Sequence, residues 1–206
     1  MISYGKQSID QSDIDAVIDA LKSDWLTQGP LCEVFEKNLN KSFGSKYSCA
    51  VANGTAALHL AGLALGWKKN DIIIVSPLTF VASANSALYC GSKVIFSDIN
   101  EKTLTLDVNK LEKKIQSLIK SKKKVNSVVV TDFGGYPADW VQLKKLSKKL
   151  KFSLINDNCH AMGSKYLGSV KYAQKFADKV VQSYHPVKNF TSGEGGSLIT
   201  NNFKIY

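Results

Sequence analysis

Short runs of β-branched residues alternate with segments of helical period along most of the chain, the pattern of a parallel sheet covered by helices. The runs 48–51, 72–75, 94–97, 127–131, 152–156, 179–183 and 197–200 are expected as strands. Ile72-Ile73-Ile74-Val75 and Val128-Val129-Val130 are apolar without alternation, which suits strands buried on both faces. Trp140, Leu143, Leu146 and Leu150 recur at helical spacing, as do Leu111, Ile115, Leu118 and Ile119. The class is therefore α/β, a mostly parallel sheet with helices on its faces.

An opening helix is expected after Asp10-Gln11-Ser12, with Ser12 as its cap, Asp13 and Asp15 complementing its positive end, and a finish near Asp24. The Gly29-Pro30 pair marks Trp25 to Pro30 as a turn. An apolar helix from Ala56 to Leu65 follows Asn53-Gly54-Thr55. The chain stops at Tyr206, a few residues after its last strand and without a closing helix.

Two hundred and six residues, 44% apolar and 21% charged, suit one globular domain with a proper core. The net charge of +10 would suggest nucleic acid, but all 27 basic residues are lysine. Without arginine's bidentate fork, base reading and phosphate gripping are poorly served, and the lysine runs at 113–114, 120–124 and 144–151 read as solvated helix faces. Cys32, Cys49, Cys90 and Cys159 stand far apart with no CxxC pair and no histidine at ligand spacing, so a reduced, cytoplasmic chain without a metal site is expected. The N-terminus lacks the apolar run of a leader. The most apolar stretch, Ala50 to Trp67, contains Asn53, His59 and three glycines, so no membrane span is expected.

Neither the P-loop nor the G-x-G-x-x-G fingerprint occurs. The informative segment is Ser183-Tyr184-His185-Pro186-Val187-Lys188-Asn189, a lysine just beyond an apolar strand, followed by the turn Gly193-Glu194-Gly195-Gly196. Together with Leu26-Thr27-Gln28-Gly29-Pro30, Asn53-Gly54-Thr55-Ala56-Ala57-Leu58, Pro77-Leu78-Thr79-Phe80-Val81-Ala82 and Asp157-Asn158-Cys159-His160-Ala161, it resembles the DegT/StrS-type family of pyridoxal-phosphate-dependent sugar aminotransferases. The segments occur in the family's order over nearly the whole chain. The match is most like members that aminate nucleotide-linked 4-keto-6-deoxy-hexosamines, as in the pseudaminic acid route.

The resemblance implies the large domain of a type I pyridoxal-phosphate aminotransferase over residues 1–206, with the C-terminal small domain missing, and a homodimer when complete. It implies pyridoxal 5'-phosphate as cofactor, with a nucleotide sugar and an amino-acid donor such as glutamate as substrates. Lys188 would bind the cofactor and move the substrate's proton, as that chemistry requires of an amine. Asp157, at the end of an apolar strand, would keep the ring nitrogen protonated; it also reads as a helix cap. His160 would lie beside the ring and its phenolic oxygen, or be an ordinary structural histidine. Gly54 and Thr55 at a helix N-terminus, with the Ser183 hydroxyl, would hold the phosphate. Phe80 would stack on the ring, although a phenylalanine is usually core. For the sugar nucleotide the resemblance points to Tyr4, Asp24, Trp25, Leu26, Thr27 and Asn53, of which Tyr4 and Trp25 equally read as packing residues. Lysine at 188 speaks against the related branch that dehydrates with a histidine there. Two other readings stay open: a fragment that binds cofactor or sugar nucleotide without transfer, and a basic nucleic-acid binder.

Overall fold

A computed structural model describes residues 6–203. Seven strands form one sheet in the order β1-β7-β6-β5-β4-β2-β3: β1 (Tyr47–Val51), β2 (Ile72–Val75), β3 (Lys93–Phe96), β4 (Val125–Thr131), β5 (Ser153–Asp157), β6 (Lys179–Ser183) and β7 (Gly196–Thr200). Strands β6, β5, β4, β2 and β3 run parallel, and β7 alone is reversed between β6 and β1. Each strand expected from the sequence is present, with ends differing by one or two residues.

The helices are α1 (Gln11–Lys22), α2 (Pro30–Phe43), α3 (Gly54–Ala64), α4 (Ala82–Tyr89), α5 (Val108–Lys120), α6 (Trp140–Leu150) and α7 (Tyr172–Phe176). Alternate side chains of one strand serve opposite layers. Ile72 and Ile74 pack with Leu39 of α2, Ile115 of α5 and Leu143 of α6, whereas Ile73 and Val75 pack with Ala57 and Ala61 of α3 and Ala87 of α4. Two covered faces explain why these strands read as unbroken apolar runs. Helix α1 differs: it buries no residue, and Val17 and Leu21 stay exposed.

The cap of α1 corrects the expectation at Ser12. Asp10 accepts the amides of Ser12 (2.8 Å) and Asp13 (3.1 Å), and Asp13 accepts the amide of Asp10 in return. Ser12 therefore stands inside the first turn. The Gly29-Pro30 pair, expected as a turn alone, also starts α2, with Pro30 at its first position, where a missing N–H costs nothing.

Lys179 opens β6 almost fully buried, its ammonium donating to Asp178 O (2.9 Å) and Thr200 Oγ1 (3.1 Å). Burial lowers its pKa to about 8, against a smaller upward pull from Asp178. Above pH 8 the folded chain releases this proton while the unfolded chain keeps it to 10.5, so this group's destabilising effect, full below pH 8, fades across that window. Lys179→Met is therefore expected to raise the urea midpoint at pH 7, and its advantage over the parent to shrink between pH 8 and 10. A constant or absent advantage contradicts this account.

Candidate active site

Every parallel strand ends on the same side of the sheet, and there a cleft of about 480 Å³ opens. Its lining comes from the segments after β1 (Asn53, Gly54, Thr55) and β2 (Thr79, Phe80), and from the last residues of β4, β5 and β6 with the segments that follow them (Thr131, Phe133; Asp157, Cys159, His160; Ser183, His185, Lys188), with Glu194 from the turn before β7. All seven residues expected at a cofactor, Gly54, Thr55, Phe80, Asp157, His160, Ser183 and Lys188, line this one cleft. Lys188 and Asp157, more than thirty residues apart in sequence, share its wall.

One end is a helix N-terminus. Asn53 Oδ1 caps α3 by accepting the Ala56 amide at 2.9 Å, leaving the amides of Gly54 and Thr55 directed outward for an anion. The helix start lies hard against β6 and β7. A Cβ on Gly54 would stand 2.8 Å from the Ser183 Cβ, and one on Gly196 2.4 Å from the Asn53 carbonyl carbon. Glycine at both positions lets the amides and the Ser183 hydroxyl converge.

The same cleft also holds a buried carboxylate. Asp157 Oδ2 accepts from Ser83 Oγ at 2.6 Å, and its Oδ1 accepts the Cys159 amide at 3.4 Å. Ser83 Oγ lies 2.9 Å from Thr79 Oγ1, which lies 2.7 Å from Thr131 Oγ1. Asp157 is only 3% exposed and has no ion-pair partner among the described residues. A buried, unneutralised carboxylate facing a cleft suits a cationic N–H on a ligand. Burial, reinforced by the Asp157 charge, pushes the neighbouring Cys159 thiol well above its ordinary range, so it is an inert wall.

His160 lines the same cleft. Its Nδ1 accepts the Gly134 amide at 3.3 Å, which leaves the ring proton on Nε2. Burial, helped by the Lys188 ammonium and opposed by Asp157, holds its pKa below the ordinary value. The imidazole is thus neutral and a donor near pH 7. Phe80 is 65% exposed, a cleft-lip residue and not core.

The residues expected at the sugar nucleotide are dispersed. Asp24, Trp25, Leu26 and Thr27 lie in the connection between α1 and α2, with Trp25 and Leu26 exposed, and none of them lines the cleft. Asn53 lies at the cleft, but its side-chain oxygen is engaged in capping. Tyr4 lies outside the described residues. Sequence reasoning missed Ser83, Thr131 and His185. Ser83 carried no signal, being a serine in an Ala/Ser run. Thr131 ends an apolar strand, the feature that singled out Asp157.

Comparison with known proteins gives the chain's family and fold relatives. The model of the DegT/DnrJ/EryC1/StrS aminotransferase family matches residues 7–206. A UDP-4-amino-4,6-dideoxy-N-acetyl-beta-L-altrosamine transaminase of Campylobacter jejuni is 43% identical over the whole chain, which covers 53% of that relative. Helicobacter pylori PseC, an aminotransferase of pseudaminic acid biosynthesis, superimposes with a TM-score of 0.87 at 32% identity, over 98% of this chain and 53% of that one. The PLP form of a putative sugar aminotransferase of Streptococcus pneumoniae, Spr1654, gives 0.88 at 26% identity, over 100% and 54%. The chain spans about half the length of these relatives.

The His160 account is testable without any ligand. Its imidazole resonances are expected to titrate with a midpoint below 6.5, and Lys188→Met should move that midpoint upward by removing a nearby ammonium. An unchanged or falling midpoint contradicts the placement of Lys188 beside His160.

Proposed function

The chain belongs to the DegT/DnrJ/EryC1/StrS aminotransferase family, and on that premise we propose that it is the cofactor-binding large domain of an enzyme that aminates a nucleotide-linked 4-keto-6-deoxy sugar. Pyridoxal 5'-phosphate is the cofactor of this family. The observation that carries the reading is the cleft wall shared by Lys188, the unneutralised Asp157 and a capped helix N-terminus. This donor set fits the cofactor at each of its polar groups.

The amides of Gly54 and Thr55 and the hydroxyls of Thr55 and Ser183 hold the phosphate. Asp157 would accept the ring N–H, and the hydroxyl of Ser83 supports the carboxylate with a hydrogen bond that adds no opposing charge. Phe80 covers the ring face. His160 would offer its Nε2–H to the phenolic oxygen. When bound, pyridoxal phosphate supplies an aldehyde for an amine to condense with, one water leaving, and a ring that draws electrons from the carbon bearing the amino group. Lys188 would be the amine that holds the cofactor, and its nitrogen would be the group placed to carry the substrate's proton.

We take the sugar to be of the type in the Campylobacter relative's name, the donor to be glutamate, and Asp24 to Thr27, Asn53 and Tyr4 to contact the nucleotide sugar. Exposed Leu60, Leu63, Leu88 and Tyr89 on α3 and α4 support pairing with a second copy. Four unpaired cysteines, and no described helix long and apolar enough to cross a membrane, support a cytoplasmic setting. The second reading is a unit that binds the cofactor or the sugar nucleotide without transfer.

Incubation with pyridoxal phosphate, borohydride reduction and peptide mapping should find the cofactor mass on Lys188 and none in Lys188→Ala. Asp157→Asn should weaken retention about ten- to a hundredfold, the effect of losing a charged hydrogen bond. Label spread over surface lysines, with none enriched at 188, overturns the site. Attachment without amino transfer to a keto-sugar selects the second reading.

A further inference from the structure

We propose that Asn189 is the positioning residue of Lys188, its side-chain amide tying the lysine-bearing turn to the loop that carries His160. The inference rests on the reading of Lys188 as the attachment point. Between β6 and β7 the chain leaves the sheet as a loop closed at its neck. Tyr184 N donates to Gly195 O (2.8 Å), while Tyr184 O accepts from Ser192 N (3.1 Å) and Thr191 Oγ1 (2.8 Å). Phe190 packs edge-on against the same tyrosine ring. These contacts fix where the loop begins and ends, not where its tip lies.

At the tip, Lys188 N donates to His185 O (2.9 Å) and Val187 N to His185 Nδ1 (3.4 Å), bonds that shape the turn without attaching it to anything. Among the described residues, only two hydrogen bonds join residues 185–190 to a segment outside this loop. Both come from Asn189 Nδ2, to Met162 O at 3.0 Å and His160 O at 3.4 Å. One NH2 group has two hydrogens, and here it meets two carbonyls of one loop. That loop is itself held from the β4 side, by Gly134 N on His160 Nδ1 (3.3 Å) and Ser164 Oγ on Gly135 O (2.7 Å).

The consequence for Lys188 follows from its length. Four methylenes carry the amine, so a small shift of the backbone moves the nitrogen across the cleft, and a reacting group misplaced by about 1 Å loses much of its advantage. Asn189 sets that backbone relative to His160, which lines the same cleft as Lys188 and whose pKa is held down by burial first and by the Lys188 ammonium second.

Three variants test this, all at an exposed position where folding is not at stake. Asn189→Ala removes the donor, Asn189→Asp replaces it with a group that repels both carbonyls, and Asn189→Gln keeps the amide. Titration with pyridoxal phosphate, read by visible absorbance, should show attachment weakened about three- to tenfold in the first two and partly restored in the third. The unfolding temperature of the cofactor-free chain should stay as in the parent. In the same cofactor-free state the His160 midpoint should rise in Asn189→Ala, as the ammonium drifts away. Attachment and midpoint both unchanged in Asn189→Ala overturn the tether. A parent that fails to attach cofactor at Lys188 sinks the proposed function instead, and the His160 titration then decides the tether alone.

Discussion

One buried carboxylate organises the end of the sheet on which the cleft depends. Asp132, fully buried just beyond β4, accepts the Ala138 amide (2.8 Å) and Trp140 Nε1 (2.9 Å) on one oxygen. The other oxygen accepts Asn156 Nδ2 (3.1 Å), Asn158 Nδ2 (3.0 Å) and the Tyr172 hydroxyl (2.8 Å). Burial raises its pKa and the donors pull it back, the balance of a lone interior charge that is tolerable only while fully hydrogen-bonded. Asn158 passes the constraint on, its Oδ1 accepting from Gln182 on β6. The ends of β4, β5 and β6 are thus locked to one anion, and Asp157 and Ser183 are the residues next to the locked positions.

The reversal of β7 within an otherwise parallel sheet then places the reactive amine. Parallel strands need a long crossover, but β6 and β7 are antiparallel neighbours joined by a loop on the cleft side. Lys188 rides on that loop, which lets it approach from a direction no βα connection supplies. The reversal also brings Gly196 against the start of α3, so the phosphate end and the lysine loop are fixed by the same strand.

How much of this was legible in the sequence divides along physical lines. Strands such as Ile72–Val75 announce themselves because burial on both faces leaves no polar position. Helices α5 and α6 announce themselves because one face is wet. Helix α4, Ala-Ser-Ala-Asn-Ser-Ala-Leu-Tyr, has no such contrast: its small residues are there to let it pack closely, and Ser83 and Ser86 are buried without being apolar. Helix α2 was hidden by the ambiguity of Gly-Pro, a turn signal that is equally a helix start. Asp132 was overlooked although it follows an apolar strand just as Asp157 ends one. A strand-end aspartate can serve a ligand or the scaffold, and only its ring of donors tells which. The resemblance brought the cleft residues together, but Asp24 to Thr27 lie apart from it on a connection whose placement no local pattern reports.

The choice of hydroxyls around Asp157 completes the logic of the site. A lysine in place of Ser83 would form an ion pair with the carboxylate and cancel the field that a ligand's N–H must feel. The relay Thr131, Thr79, Ser83 ends in a hydrogen bond to the carboxylate and adds no charge, so no cation of the chain offsets it. The same reasoning separates the two buried acids of this sheet end. Asp132 is saturated by five donors and has nothing left to offer, which makes it scaffold. Asp157 has one hydroxyl and one weak amide, a deficit that only a ligand in the cleft can fill.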